Sequence, residues 1–241
     1  MTVDILKEPL RLRTIWSHVT DPAVVLDSAV SVVGEKGAAS GFLIAPQIVV
    51  TAEHVMQGME ASAKFVKYGQ PEIALVRHCL LYPYDDIAVV LLDRVIHAPC
   101  AVISESATLE RGSPVAMPNV RPLGDSEEEA LLWAQTQRHQ DAIKEGSLEL
   151  KIDNYSAVLQ EEQVGLKGRF NVFSCACAEG NSGAAIFDAR TNKVISVACI
   201  EGDVTEESGE PKPSVLGLEA GRLYEITQEA TVYFEQKYGV A

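Results

Sequence analysis

The sequence predicts an all-β protein. Short apolar runs recur along the chain, separated by Gly, Pro, Asn and Asp, the pattern of strands punctuated by turns. The runs fall into two sets of about six, which suggests two barrels or one sandwich pair. At 241 residues, 47% hydrophobic and 22% charged, the chain is able to bury a sizeable core and lacks the composition of a disordered one.

Taken in order, Arg11–Val24 reads as an N-terminal arm that crosses onto the body. The first-half strands are expected at Ala29–Val33, Gly41–Ile44, Ile48–Thr51, Ala63–Tyr68, Glu72–Leu81, Ile87–Leu92 and Ser113–Met117. The second half offers Ser147–Ile152, Tyr155–Leu159, Phe170–Cys175, Ala184–Phe187, Val194–Ile200 and Ser214–Leu218. Between the halves, Asp125–Glu145 reads two ways. Ser126 with Glu129 three residues on makes a helix cap. A hairpin from about Leu131 is favoured, because S-L-E-L-K-I alternates cleanly. Glu201–Pro213 is polar and acidic and is expected to be a mobile loop. Leu223–Lys237 places Ile226, Ala230, Tyr233 and Phe234 at helical spacing, so the chain closes on a helix.

The net charge of −14 and pI near 4.8 argue against nucleic acid as a partner and against docking on anionic membranes, both of which need Lys/Arg clusters. No stretch reaches the ~18 apolar residues of a membrane span, and the N-terminus lacks the pattern of a signal peptide. The five cysteines (Cys79, Cys100, Cys175, Cys177, Cys199) form no paired framework. In an extended segment Cys175 and Cys177 share a face roughly 6.5–7 Å apart, at the limit for a disulfide. Free thiols in a reducing cytoplasm are the expectation. No His lies near enough in sequence to complete a Cys-x-Cys metal site, so no metal or other cofactor is expected.

Two short segments carry chemistry. Residues 178–185 read A-E-G-N-S-G-A-A, and residues 51–55 read T-A-E-H-V after a β-branched run. A serine hydroxyl is a poor nucleophile at neutral pH and needs a base within hydrogen-bond reach. Glycines around Ser182 allow a sharp turn that brings backbone N–H groups close to a substrate carbonyl oxygen. His18, His78, His97 and His139 carry no comparable context and read as packed or surface residues.

S-G-F-L-I-A-P-Q-I-V-V-T-A-E-H-V resembles the histidine motif of trypsin-like serine peptidases, and G-N-S-G resembles their nucleophile motif. Asp85-Asp86-Ile87-Ala88 resembles the acidic motif that lies between the two. The order His, Asp, Ser is the family's, with spacings of 32 and 96 residues, and the resemblance covers roughly Leu26 to Gly202. It is strongest to compact bacterial members without added domains. It implies two six-stranded antiparallel barrels with a C-terminal helix: an arm at 1–25, a first barrel at 26–118 and a second with the helix at 119–241. It further implies His54, Asp86 and Ser182 as catalytic residues and the N–H groups of Gly180 and Ser182 as the oxyanion hole. Asp86 is preferred to Asp85 because it directly precedes Ile87-Ala88.

Departures from the family pattern shape the expectation. Asn181 replaces the aspartate that pairs with a freed N-terminus in digestive trypsins, which argues against that switch. Val55 stands where a disulfide cysteine is common, and Glu53 is expected to be an exposed charge. Ala176 falls where trypsins bind basic side chains, so cleavage after Lys or Arg is disfavoured. Cys199, Ile200 and Glu201 fall on the substrate-pairing strand. The expected activity is a cytoplasmic serine endopeptidase of narrow specificity, acting on a protein substrate, with the product of a neighbouring gene as the first candidate. Restraint is expected through the acidic loop or an activating partner. A catalytically silent binding or scaffold module is the rival reading, and a cysteine hydrolase using Cys177 or Cys199 is a third.

Overall fold

Ile87–Leu92 is buried at every position, on both faces, and its surroundings organise the molecule. Ile87, Val89 and Leu91 point into a cluster shared with the second half of the chain, while Ala88, Val90 and Leu92 fill the interior of the first. A strand covered on both sides must be apolar throughout, and I-A-V-V-L-L is. The computed structural model describes residues 26–35, 37–67, 69–106, 109–118, 126–136, 143–158, 165–175, 178–205 and 211–240. The expected arm at 1–25, Ala176 and Cys177 therefore lie outside the described residues.

The first closed barrel comprises β1 (Ala29–Gly34), β2 (Gly37–Ala45), β3 (Ile48–Thr51), β4 (Lys64–Lys67), β5 (Ile73–Tyr82) and β6 (Ile87–Leu92), in the spatial order β1-β2-β3-β6-β5-β4. The second comprises β7 (Pro114–Pro118), β8 (Ile143–Val158), β9 (Gly165–Phe173), β10 (Ala185–Asp188), β11 (Val194–Thr205) and β12 (Pro211–Leu218), in the order β10-β11-β12-β9-β8-β7. All ladders within the two barrels are antiparallel. This is the two-barrel, chymotrypsin-like fold. Closure pairs the barrel strands on both sides over most of their length and leaves few sheet edges open.

Four local expectations need correction. The strand at 113–117, assigned from sequence to the first barrel, pairs with β8 and β10, so the boundary falls before it rather than after residue 118. The segments at 147–152 and 155–158 belong to one strand, β8, whose register shifts between Ile152 and Tyr155, and Leu159 lies outside the described residues. Where a hairpin was favoured, Glu127–Thr136 forms helix α2, following the four-residue α1 (Glu53–Met56). The Glu129 N–H donates to Ser126 Oγ, and α2 docks on the first barrel through Lys64–Glu127 and Gly69 N–H to the Ala134 carbonyl. Where a loop was expected at 201–213, β11 and β12 stay paired out to Thr205 and Pro211, because main-chain pairing is indifferent to acidic side chains; residues 206–210 lie outside the described residues.

The terminal helix α3 (Ala220–Tyr238) lies where it was expected. Leu223, Ile226, Ala230 and Phe234 sink into the cluster shared by both barrels, and Gly239 closes the helix in the left-handed conformation at φ 66°. Burying Phe234 alone contributes about 2–3 kcal/mol to that contact.

Candidate active site

Strand β3 ends at Thr51, and the chain turns directly into α1, which presents His54 half-buried at the barrel junction. The turn after β5 presents Asp86 with φ 51°, a left-handed conformation uncommon for a residue with a side chain. Its carboxylate, 2% exposed, accepts the backbone N–H of His54 at 3.0 Å and lies 2.9 Å from His54 Nδ1. The imidazole is thereby fixed by main chain and ring together. A proton on Nδ1 facing Asp86 leaves Nε2 as the basic nitrogen.

Asp85 and Asp86 diverge. The Asp85 carboxylate turns away from His54 and takes a two-pronged hydrogen bond from Arg222 of α3, Nε at 3.2 Å and Nη2 at 2.9 Å. That fork raises the affinity of the Arg222 guanidinium for its proton.

Ser182 sits on a turn built largely from its neighbours' hydrogen bonds. Asn181, fully buried, accepts the Ala178 N–H on Oδ1 at 2.9 Å and returns its own N–H to the Ala178 carbonyl at 3.0 Å. Ser40 of β2 donates its N–H to the Ser182 carbonyl at 3.0 Å. Gly183 has φ +82°, and a Cβ there would meet the Ser40 carbonyl oxygen and Thr51 Oγ1 at 2.2 Å, so glycine is the residue that fits. Among the described residues no acceptor takes the N–H of Gly180 or of Ser182. Two such donors beside a serine are the arrangement an oxyanion requires.

His54, Ser182 and Gly180 line a cleft of about 210 Å³ together with Ala39, Val55 and Met59. On the far side of Ser182 lies a smaller pocket of about 40 Å³, walled by Ala178, Ala198, Cys199, Ile200, Glu201 and Val215. Strand β10 pairs with β11 only as far as Val197, and β12 covers the opposite side of β11. The other edge of β11 at 199–201 therefore has no strand partner among the described residues.

Three placements differ from expectation or add to it. Glu53 is buried, not exposed, and its charge helps burial push the Cys79 thiol up to about 12. Cys199 borders the small pocket through its strand, but its Sγ lies 3.9 Å from the Asp86 carbonyl oxygen. Burial first, then the Asp86 carboxylate, raises its thiol well above the ordinary range, which disfavours the thiolate that a nucleophile needs. Lys144 of β8, unremarked in the sequence, places Nζ 3.4 Å from Asn181 Oδ1. No group of three or more His, Cys, Asp or Glu gathers as metal ligands, and no helix is long and apolar enough to cross a membrane, among the described residues.

Two antiparallel barrels with His, Asp and Ser brought to their junction define a trypsin-like peptidase domain. Residues 39–197 match the family model of that description, and the chain belongs to this family. Comparison with curated protein sequences gives no match. Among solved structures, the Rv3671c protease from M. tuberculosis in its active form shares 17% identity, with 86% of each chain covered and a TM-score of 0.59. Deg5 shares 17% identity over 98% of this chain and 99% of its own, with a TM-score of 0.59. The HtrA-type protease AlgW, solved with a decapeptide, shares 14% identity over 86% of this chain and 65% of its own, with a TM-score of 0.62. At these identities the likeness concerns the fold.

Proposed function

We propose that the protein is a serine endopeptidase acting through Ser182, His54 and Asp86. The observation that carries this reading is the 2.9 Å contact of Asp86 with His54 Nδ1, beside a cleft that His54 shares with Ser182. Ser182 Oγ attacks the scissile carbonyl carbon while His54 Nε2 takes the hydroxyl proton, and the carbonyl electron pair moves onto oxygen. The N–H groups of Gly180 and Ser182 hold that oxyanion, each contributing about 3 kcal/mol. Collapse breaks the C–N bond as Nε2 returns the proton to the leaving amine. Water then repeats the sequence on the acyl-enzyme and frees the serine. Asp86 stabilises the imidazolium that forms in each half. No cofactor enters.

A substrate segment would add to the uncovered edge of β11 at 199–201 by main-chain pairing. A pocket of about 40 Å³, walled by Ala178, Ala198 and Val215 together with Glu179, Asn181 and Glu201, has room for a small side chain and not for Lys or Arg. The substrate is then a protein with a small residue before the scissile bond, met in the cytoplasm.

Reaction with a fluorophosphonate probe tests the reading. Wild-type protein is expected to gain one adduct on Ser182, and Ser182→Ala none. A wild-type protein that never labels, with or without the products of neighbouring genes, would overturn it and leave the scaffold reading.

A further inference from the structure

The turn that carries Asp86 belongs to the first barrel, yet the second barrel holds it at three successive residues. The Lys167 N–H of β9 donates to the Tyr84 carbonyl at 3.0 Å. Arg222 of α3 takes the buried Asp85 carboxylate in its fork at 3.2 and 2.9 Å. Cys199 Sγ of β11 lies 3.9 Å from the Asp86 carbonyl oxygen. Within the turn itself the support is thin: Asp85 N–H reaches the Tyr82 carbonyl at 3.1 Å and Asp86 N–H the Pro83 carbonyl at 3.4 Å. Asp86 also holds a left-handed φ of 51°, a region that few residues with side chains occupy, although aspartate enters it more readily than most.

We propose that Arg222 is a positioning residue, and that its two-pronged bond to Asp85 is the latch that sets Asp86 against His54. Resting on the peptidase reading above, this makes the terminal helix part of the catalytic apparatus although none of its described residues lines the pockets at Ser182. The latch spans 137 residues of sequence and joins the two barrels. It therefore ties the acid's geometry to the seating of the helix on the barrel junction. Arg suits the task, because its planar fork fixes the carboxylate in orientation as well as in distance, which a lysine ammonium does not. Other charges around the latch are Glu225, 3.3 Å from Arg222 Nη1, and Lys167 with Arg169 and Glu219 across a cavity of about 620 Å³.

The test uses the full chain and two readouts. The first is the rate of fluorophosphonate labelling at Ser182 across pH. The second is the downfield proton resonance of His54 Nδ1–H, which reports its bond to Asp86 and needs neither substrate nor turnover. Arg222→Met is expected to slow labelling at least about ten-fold, as small misplacements of catalytic groups do, and to broaden or shift the resonance. Arg222→Lys is expected to recover part of both. Should Arg222→Met not fold, Asp85→Asn conserves volume, removes one acceptor of the fork and carries the same readouts. A folded variant with wild-type labelling rate and resonance overturns the latch. So does a rate loss explained wholly by a smaller folded fraction with the resonance unmoved. If wild-type protein does not label, the peptidase reading fails, and the resonance alone decides the latch.

Discussion

Ser40 Oγ donates a 2.8 Å hydrogen bond to the Gly180 carbonyl, so a side chain of the first barrel holds the turn that carries Ser182 in the second. The same residue donates its N–H to the Ser182 carbonyl and accepts Thr51 Oγ1 on its own carbonyl at 2.7 Å. Ser40 is fully buried, whereas Gly180 is half-buried and lines the cleft. Ser40→Ala is expected to cost about 1 kcal/mol by removing a part-buried hydrogen bond, and to slow Ser182 labelling about ten-fold as the turn loosens. Stopped-flow labelling alongside thermal unfolding measures both. A variant that labels at the wild-type rate would detach Ser40 from the oxyanion turn.

Gly183 is a sharper case, because space and backbone both select it. Its φ of +82° is unfavourable for any L side chain, and an added Cβ would lie 2.2 Å from the Ser40 carbonyl and 2.9 Å from the Ala52 nitrogen. Both are main-chain atoms that move only if the barrels part. Gly183→Ala is expected to destabilise the fold by about 3 kcal/mol or more, read as a fall in the urea midpoint. An unchanged midpoint would mean that the barrels slide freely at this junction.

What the sequence reveals, and what it hides, follows from where each signal resides. Strand β6 and helix α3 are legible because their burial is written as a contiguous apolar run and as a helical period. Helix α2 is not, since it buries only Ala130 and Ala134 and is settled by docking on β4 and on the turn after it. Asp86 and His54 are legible because each lies in a short motif. Arg222, 137 residues from Asp85, lies in none, and neither does Lys144. Ser40 stands inside the histidine motif, yet its role depends on a residue 140 positions away. The burial of Glu53 is not legible, because charge alone says nothing about the wall against which α1 packs.

Thiol chemistry separates the serine reading from a cysteine one. The thiolate is the reactive form, and burial pushes Cys79 up to about 12 and raises Cys199 well beyond the ordinary thiol range. At pH 8 only about one Cys79 in ten thousand is ionised. Iodoacetamide is therefore expected to spare Cys79 and Cys199 in the folded protein and to leave fluorophosphonate labelling intact, as peptide mass mapping would show. Rapid alkylation of Cys199 with loss of labelling would restore it as a candidate nucleophile.

Part of the protein's loss of stability in acid is expected to come from His78. This residue of β5 packs against Tyr233, Phe234 and Tyr238 of α3 at ring-centroid distances of 5.7, 6.0 and 5.4 Å. Desolvation, and then the nearby Lys237 ammonium, lower its pKa below the ordinary imidazole value. The folded state thus prefers the neutral ring, whereas the unfolded chain takes up a proton near pH 6.5. Between the lowered folded pKa and that value the unfolded state binds more protons, so stability falls as pH falls through the window and is fully present above it. His78→Phe keeps the ring packing and removes the titration. The drop in melting temperature from pH 7.5 to 5.5 is expected to be smaller in the variant than in the wild type. Equal drops would place the acid sensitivity elsewhere.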